Sequence, residues 1–283
     1  MSDAPSATMP HGLGRTALYT AEVWRWGGLA NADLLANEDT RRVFDAVSFS
    51  LQVARPFQSD PRSLPHALLH RHTFIDRLLR DSGARQVIEL AAGLSRRGLT
   101  FSADPAMRYT EVDLGGMVAY KTALLRSTAR GREALSRERF QLVAGDALEV
   151  DLQAHRDPAQ PLFVIAEGLL MYLSADKQEV LMRRVRDALA PAGGWFVFDL
   201  VPGAEEPAPG AAGRALGWLM RRFTSGQTFV RDVRDRAAVS AAFAGTGYAV
   251  EAREPAREAH ALGLPFPDEP TRMVVFEGRA AAG

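Results

Sequence analysis

Short apolar segments alternate with helical segments after residue 85, and this alternation limits the folds that the chain can adopt. Five segments have the length and apolar character of buried strands: 86–90, 108–113, 139–144, 161–166 and 194–200. The clearest helices between them are predicted at 115–126 and 175–189. Strands that alternate with helices usually pair in parallel, so the pattern predicts an α/β fold with a Rossmann-like, doubly wound, mostly parallel sheet.

The two ends of the chain extend this architecture. Before the first strand we predict a tail at 1–14 and helices at 16–35, 40–49 and 66–80. After the fifth strand we predict a helix at 236–244 and strands at 248–254 and 273–278. The two late strands indicate an antiparallel hairpin at the edge of the sheet. We therefore divide the chain into a tail and N-terminal helical cap at 1–84 and a core domain at 85–283.

One segment interrupts the alternation of strands and helices. Residues 203–215 are rich in Pro, Gly and Ala, and the amphipathic stretch 216–223 follows them. Two interpretations of the whole interval, about 203–232, remain open. It is a lid-like insertion over a site, or it is a surface insertion without a functional role.

The composition excludes several classes of function. The chain contains no cysteine, which rules out disulfides, thiolate zinc sites and cysteine nucleophiles. Its formal net charge is zero, so no overall field attracts nucleic acid or an acidic membrane. There is no run of 18 apolar residues, and we expect a cytoplasmic protein without a membrane span. The sequence does not predict the oligomeric state.

A pair of histidines offers the clearest possibility of a metal site. His66 and His70 are four residues apart on a predicted helix, and this spacing places both side chains on one face. No glutamate accompanies them in the arrangement that zinc proteases use. We therefore predict no metal site.

The first strand ends in a turn made of small residues. Ala91, Ala92 and Gly93 would let a ligand approach the backbone closely, and the amides that follow could donate hydrogen bonds to it. The turn is a loose relative of the pattern E-x-G-x-G-x-G, in which Ala91 and Ser95 replace the outer glycines. An ordinary strand-to-helix turn is the alternative interpretation.

Acidic residues stand near the ends of four successive strands: Glu89, Asp113, Asp146 and Glu167. Ligands of an open parallel sheet bind outside the carboxyl ends of its strands. Asp113 lies 20 residues after Gly93, which is the spacing of an acid that binds a ribose diol. Any single acid could instead cap a helix, but four in register indicate a site. The turn keeps too few glycines for a dinucleotide, which favours S-adenosylmethionine, a cofactor without phosphate.

Four stretches of the sequence form a distinctive combination: RHTFID at 71–76, VIELAAGLSRRG at 87–98, EVDL at 111–114 and AEGLLMYL at 166–173. Together they resemble the leucine carboxyl methyltransferase family of class I S-adenosylmethionine-dependent methyltransferases. The first stretch points to the branch of polyketide O-methyltransferases typified by the tetracenomycin enzyme. The similarity covers roughly residues 60–200, and the N-terminal helices match poorly.

The resemblance implies a cofactor site. Arg71 would hold the methionyl carboxylate, and Glu167 would lie near the methionyl ammonium. Asp113 would bind the ribose, and Asp146 with the backbone of Ala147 would recognise the adenine. The expected cofactor-binding residues are Arg71, Glu89, Ala91, Gly93, Asp113, Asp146, Ala147 and Glu167. Family members often have glycine at the position of Ala91, so its methyl group could tighten the turn.

The sequence therefore predicts an S-adenosylmethionine-dependent O-methyltransferase. Its acceptor would be a carboxyl or phenolic hydroxyl of a small, polyketide-like secondary metabolite. A phenol would need a base, for which His72 and Tyr172 are the candidates. Tyr172, Trp218 and Phe223 are candidates for the acceptor pocket. A catalytically silent accessory protein of a biosynthetic complex is the alternative, and a nicotinamide-dependent oxidoreductase is disfavoured by the turn.

Overall fold

A mixed sheet of seven strands forms the centre of the protein. The computed structural model describes residues 14–54, 63–205, 233–263 and 273–283. Its strands are β1 (Gln86–Leu90), β2 (Arg108–Asp113), β3 (Phe140–Ala144), β4 (Leu162–Ala166), β5 (Gly194–Leu200), β6 (Ala249–Arg253) and β7 (Val274–Ala280). All seven predicted strands are present, and their bounds differ from the predicted ones by no more than two residues.

The strand order of the sheet is β3-β2-β1-β4-β5-β7-β6. Strands β1 to β5 pair in parallel, whereas β7 is antiparallel to both β5 and β6. The predicted parallel sheet with an antiparallel C-terminal edge is thus confirmed. The last strand of the chain lies inside this edge, between β5 and β6.

Eight α-helices accompany the sheet within the described ranges. They are α1 (Gly14–Trp26), α2 (Glu38–Ala54), α3 (Leu64–Ser82), α4 (Arg97–Phe101), α5 (Gly115–Arg126), α6 (Ala129–Leu135), α7 (Ala175–Leu189) and α8 (Arg236–Ala244). The first predicted helix, 16–35, is wrong at its end. Helix α1 stops at Trp26 because Gly27 and Gly28 follow, and Gly28 has a φ of 69°. The short helices α4 and α6 were not predicted.

Local signals place the ends of α3, which carries several candidate residues. The Ser63 hydroxyl accepts a hydrogen bond from the His66 N–H, and Pro65 lies in the first turn. At the other end, Gly83 adopts a φ of 66°, which glycine tolerates because it has no Cβ. The helix therefore has a fixed length and a fixed register against the sheet.

Helices cover both faces of the sheet, as the doubly wound prediction requires. On one face, Leu18 of α1 and Ile75 of α3 pack in the same apolar cluster as Val87 of β1. On the other face, Ile88 of β1 packs in a second cluster with Phe243 of α8. Neighbouring residues of β1 thus point to opposite faces. The N-terminal helices share a core with the sheet, and the domain boundary at residues 84 and 85 stays a prediction.

Part of the predicted architecture lies outside the described residues. This applies to nearly all of the lid-like insertion at 203–232, of which the structure describes only 203–205. Within the described ranges, no helix combines the length and the apolar character that are needed to span a membrane.

Candidate functional site

The candidate site lies where the chain changes direction across the sheet. Strands β1 and β4 are neighbours, but the chain continues from β1 to β2 on one side and from β4 to β5 on the other. Such a switch point opens a crevice at the carboxyl ends of the strands. The two turns at this point contain left-handed residues: Ala91 (φ 49°) and Gly93 (φ 54°) after β1, and Gly168 (φ 70°) after β4. Both turns therefore bend sharply beside the crevice.

Asp113 connects the end of β2 to the turn after β1. Its Oδ2 accepts a hydrogen bond of 2.6 Å from the Gly93 N–H, and its Oδ1 accepts one of 2.7 Å from the Leu114 N–H. Burial raises the pKa of Asp113, and these two N–H donors act in the opposite direction. The side chain is only half-buried. Each carboxylate oxygen has further lone pairs, so Asp113 can accept additional hydrogen bonds from a ligand.

Asp146 and Ala147 follow β3 at the same edge of the sheet. The register pairs Asp113 with Ala144, which places Asp146 two residues beyond the paired end of β3. Asp146 is exposed, and its Oδ1 accepts a hydrogen bond of 2.7 Å from the Leu148 N–H. Asp113 and Asp146 thus stand at adjacent strand ends, and both are accessible from the crevice side of the sheet.

Arg71 extends from α3 to the ends of β4 and β5. Its Nε donates to Glu167 Oε1 and its Nη1 to Asp199 Oδ2, each over 2.8 Å. Asp199 Oδ1 also accepts a hydrogen bond of 2.6 Å from the Gly168 N–H. Asp199 therefore fixes both Arg71 and the turn after β4. Asp199 is not among the site residues predicted from the sequence, although it is a fifth acid near the end of a fifth strand.

Arg97 is the centre of the buried ionic contacts beneath the crevice. Its guanidinium is 0% exposed and donates to Asp76 and Glu167 over 2.7 Å each, and also to Glu89. Glu89 and Glu167 are thereby neutralised by a protein cation. Arg97 belongs to one of the motifs found in the sequence, but no role was predicted for it. The available signal was a pair of arginines directly after a turn that is flanked by strand-end acids.

The partners of Glu167 determine its charge. Burial alone would raise its pKa, but His72 and the guanidinium groups of Arg71 and Arg97 outweigh burial and hold the pKa well below the usual range. Glu167 is therefore a carboxylate at neutral pH with its charge already balanced. A cofactor ammonium near it would have to share this carboxylate with two arginines.

The two candidate bases are both engaged by the protein. His72 is 0% exposed, its Nδ1 lies 2.9 Å from Glu167 Oε2, and its ring stacks on Trp24 at 4.3 Å. Burial, followed by the charge of Arg97, lowers the pKa of His72, so its ring is neutral at pH 7. Tyr172 is half-buried beside the side chain of Thr16, and burial raises the pKa of its hydroxyl. Trp218 and Phe223 lie outside the described residues.

The two histidines with helical spacing have different environments. The ring of His66 stacks on Trp26 at 5.7 Å, whereas His70 is fully buried. In the ranges that the structure describes, no group of three or more His, Asp or Glu side chains is arranged to hold a metal ion.

Helix α1 lies against the turn after β1. A Cβ added to Gly93 would stand 3.1 Å from the Ala17 Cβ, and the left-handed φ of Gly93 would strain any side chain in addition. The N-terminal helix therefore closes over the two turns with Thr16 and Ala17, which the sequence analysis did not predict. Small residues in the turn and accessible carboxylates at Asp113 and Asp146 fit a nucleoside ligand such as the adenosyl half of S-adenosylmethionine.

Comparisons with known proteins identify relatives of this chain. A sequence model described as leucine carboxyl methyltransferase matches residues 30–186. A protein of Parafrankia sp. is 31% identical over 208 residues, which cover 69% of this chain and 66% of the relative. One from Mycolicibacterium smegmatis is 31% identical over 253 residues, which cover 85% and 74% of the two chains. Both relatives are named as S-adenosyl-L-methionine-dependent methyltransferases. For the first relative, the chain spans slightly less than two thirds of its length.

Solved structures share the fold at low identity. A methyltransferase from Thermobifida fusca has a TM-score of 0.57 with 18% identity, and the match covers 98% of each chain. A DUF574 family protein from Streptomyces avermitilis has a TM-score of 0.60 with 16% identity, covering 92% of this chain and 97% of that one. The matched family model covers more than half of the sequence and includes both turns of the crevice. The chain belongs to the leucine carboxyl methyltransferase family.

Proposed function

We propose that this protein is an S-adenosylmethionine-dependent methyltransferase. The proposal rests above all on the hydrogen bond of 2.6 Å between Asp113 and the Gly93 N–H at the switch point of the sheet. This bond joins the residue expected to bind the ribose to the turn expected to pass beneath the methionyl group. Membership of the family and the names of the relatives support the same activity.

The described residues suggest how the cofactor would be held. Asp113 would accept hydrogen bonds from the ribose hydroxyls, while Asp146 and the backbone of Ala147 would contact the adenine. The hydrogen bonds of Arg71 in the described part of the chain use Nε and Nη1, so Nη2 can donate to the methionyl carboxylate. When bound, the cofactor supplies a methyl group on a sulfonium, a good leaving group. The protein then mainly has to align the acceptor with that methyl group.

We further propose that the acceptor is a small, polyketide-like metabolite. The oxygen that receives the methyl group would belong to a carboxyl group of this metabolite and not to a phenol. A carboxylate is nucleophilic at neutral pH and needs no base, whereas a phenol reacts faster with one. His72 has no exposed surface, and the Tyr172 hydroxyl is half-buried with a raised pKa. Neither of these two candidates is therefore well placed to take a proton from an acceptor.

Calorimetric titration with S-adenosylmethionine and, separately, with NAD tests the cofactor. We expect binding of the former only, and we expect Asp113→Ala to weaken it by roughly tenfold to a hundredfold, since hydrogen bonds to a charged group contribute about 1.5–3 kcal/mol. Asp104→Ala is the matched control, because Asp104 is an exposed acid before the opposite end of β2. Equal affinities in the two variants would refute the assignment of Asp113.

The chemistry of the product tests the acceptor. Paired aromatic acids and phenols are incubated with the protein and methyl-labelled cofactor, and the labelled product is then treated with mild alkali. A methyl ester releases labelled methanol, whereas a methyl ether keeps its label. Transfer to phenols alone would overturn the carboxyl proposal and would direct attention back to His72 as a base.

A catalytically silent protein of the same fold is the second candidate. It is favoured by one observation: Arg71, Arg97, Glu89 and Glu167 already satisfy one another in the structure. Cofactor binding without transfer to any acceptor of the panel would support this alternative. Label in any acceptor would exclude it.

A further inference from the structure

Lys121 is a buried cation that the assignments above leave without a role. The chain has only two lysines, Lys121 and Lys177, among 34 basic residues. Lys121 lies on α5 and is 2% exposed. Its Nζ forms an ion pair with Glu111 Oε2 and donates a hydrogen bond of 2.5 Å to the carbonyl oxygen of Ser95. Removing an ammonium group from water costs free energy unless the group is paired and hydrogen-bonded. These two contacts therefore allow Lys121 to be buried in its charged form.

The two partners of Lys121 belong to the candidate cofactor site. Ser95 ends the turn after β1, and its N–H donates to the Ala92 carbonyl over 2.8 Å. Glu111 is on β2, two residues before Asp113, whose carboxylate accepts the Gly93 N–H at the start of the same turn. Lys121 and Asp113 therefore hold the two ends of one turn against β2.

A small cavity lies beside this pair and the turn after β1. It is lined by side chains and backbone of Ala92, Gly93, Glu111, Asp113 and Lys121, with Met117 and other apolar groups on its remaining sides. Glu111 Oε1 is buried here and has no hydrogen-bond partner in the described part of the chain. The residue opposite is Gly98, where any side chain would collide with Glu111 and Phe140. The packing around Glu111 thus leaves its carboxylate directed at Lys121.

We propose that Lys121 is a positioning residue for the cofactor: held by Glu111, its ammonium fixes the Ser95 carbonyl and so the turn on which the cofactor would lie. This inference rests on the proposed function, because it assumes that the turn binds S-adenosylmethionine. Lys121 itself does not contact the ligand. It acts through the conformation of residues 93–95.

The charge of Glu111 makes this arrangement sensitive to pH. Burial, together with the nearby carboxylates of Glu89 and Asp113, raises the pKa of Glu111 to about 7, although the Lys121 ammonium acts in the opposite direction. Tyr109, also on β2, faces Glu89, whose charge Arg97 of α4 balances. From β3 only apolar Phe140 and Leu142 approach. Cofactor binding that tightens the ion pair therefore favours ionised Glu111, and it should release a proton near neutral pH.

Titration calorimetry of the full chain with S-adenosylmethionine tests the proposal. Lys121→Met removes the ammonium and keeps an unbranched apolar chain. We expect the affinity for S-adenosylmethionine to fall roughly tenfold to a hundredfold, which corresponds to the loss of one hydrogen bond to a charged group. Lys177→Met is the matched control, because Lys177 is exposed on α7 and its loss should leave affinity unchanged. Thermal melts of both variants report whether each is folded.

Glu111→Gln provides a second variant that keeps the shape of the side chain. Titrations at pH 7 in buffers of different ionisation enthalpy measure the protons released on binding. The cofactor ammonium contributes equally in both proteins, so we expect the wild type to release more protons than Glu111→Gln. A purely structural role of the pair would lower the melting temperature of the variants but would leave the proton count unchanged.

The outcomes separate this inference from the proposed function. Absence of S-adenosylmethionine binding to the wild type would overturn both. Tight binding to the wild type and equal binding to Lys121→Met, with identical proton release in Glu111→Gln, would overturn only the role of Lys121.

Discussion

Ala91 is the residue at which the turn after β1 departs from the pattern E-x-G-x-G-x-G. It is one of two non-glycine residues with a positive φ in the described part of the chain, at 49°, and the other is Asn31. A Cβ in the left-handed region costs roughly 1–2 kcal/mol, because it approaches the following carbonyl. The chain therefore stores local strain directly beneath the expected cofactor position.

Ala91→Gly should relieve this strain. We expect the free energy of unfolding to rise by about 0.5–1 kcal/mol, since the greater flexibility of glycine in the unfolded chain offsets part of the gain. Ala92→Gly is the matched control: Ala92 is buried and has no positive φ, so its replacement should destabilise by a similar amount. Denaturant unfolding measures the free energy of unfolding of the two variants. A less stable Ala91→Gly variant would show that the turn is not strained.

At the level of elements, the position of α1 over the two turns is the main feature of the site. The Ala17 methyl group lies against Gly93, and the side chain of Thr16 interacts with the hydroxyl of Tyr172, which follows β4. A single helix end thus contacts the turns of both β1 and β4. Since α1 also buries Leu18 and Val23 in the core beneath it, its inner part is firmly anchored while its first turn depends on these two contacts.

Tyr172→Phe should loosen the first turn of α1 and leave the rest of the helix in place. Loss of the polar contact with Thr16 costs up to about 1 kcal/mol, which raises the population of the open first turn by up to about fivefold. Amide hydrogen exchange of the residues that follow Thr16 should speed up accordingly. Tyr120→Phe is the control, because the Tyr120 hydroxyl accepts from Asn37 at 2.9 Å and should affect exchange near residue 37 instead. Equal changes in α1 for the two variants would contradict this assignment.

At the scale of the whole molecule, the helices, the strands and the switch point are joined by one buried ionic network. Arg97 connects Asp76 of α3 with Glu89 of β1 and with Glu167 after β4. Arg71 continues the network to Asp199 of β5. These contacts join elements that are up to 128 residues apart in sequence. The stability of the fold should therefore depend strongly on the protonation of these few groups.

Acid should destabilise the protein through His72 and Glu167. Both pKa values are lowered in the folded state, so the unfolded chain binds more protons, and the stability that each group contributes is lost as the pH falls. The loss should begin below pH about 6.5 for His72 and below about 4.3 for Glu167, the ordinary values of these side chains. Urea unfolding as a function of pH measures this loss of stability.

The effect of His72 is best measured in a variant that lacks the Glu111 carboxyl group. The raised pKa of Glu111 makes the free energy of unfolding increase as the pH falls from about 7 to about 4.3, which would mask the contribution of His72. In Glu111→Gln we expect stability to fall as the pH drops below about 6.5, before Glu167 begins to contribute below about 4.3. Adding His72→Gln should remove the fall between these two values. A slope that persists in the double variant would mean that another group titrates there.

The sequence by itself determined the strands, most helices and the acids at the strand ends. Apolar periodicity and turn residues act over a few neighbours, so the bounds of β1 to β7 and the motif residues from Glu89 to Gly98 could be read locally. The same local reading missed the partners of those acids. Nothing near Glu167 in sequence shows that Arg71 and Arg97 neutralise it, and nothing near Asp199 shows that it holds Arg71.

Only the tertiary structure decided which of the strand-end acids stay accessible. Asp113 and Asp146 remain open to a ligand because backbone N–H groups, not arginines, are their partners. Glu89 and Glu167 are withdrawn into the network because α3 and α4 place guanidinium groups against them. Burial and charge pairing depend on contacts between distant segments. The chemistry of the site therefore follows from packing, whereas its location follows from the pattern of the strands.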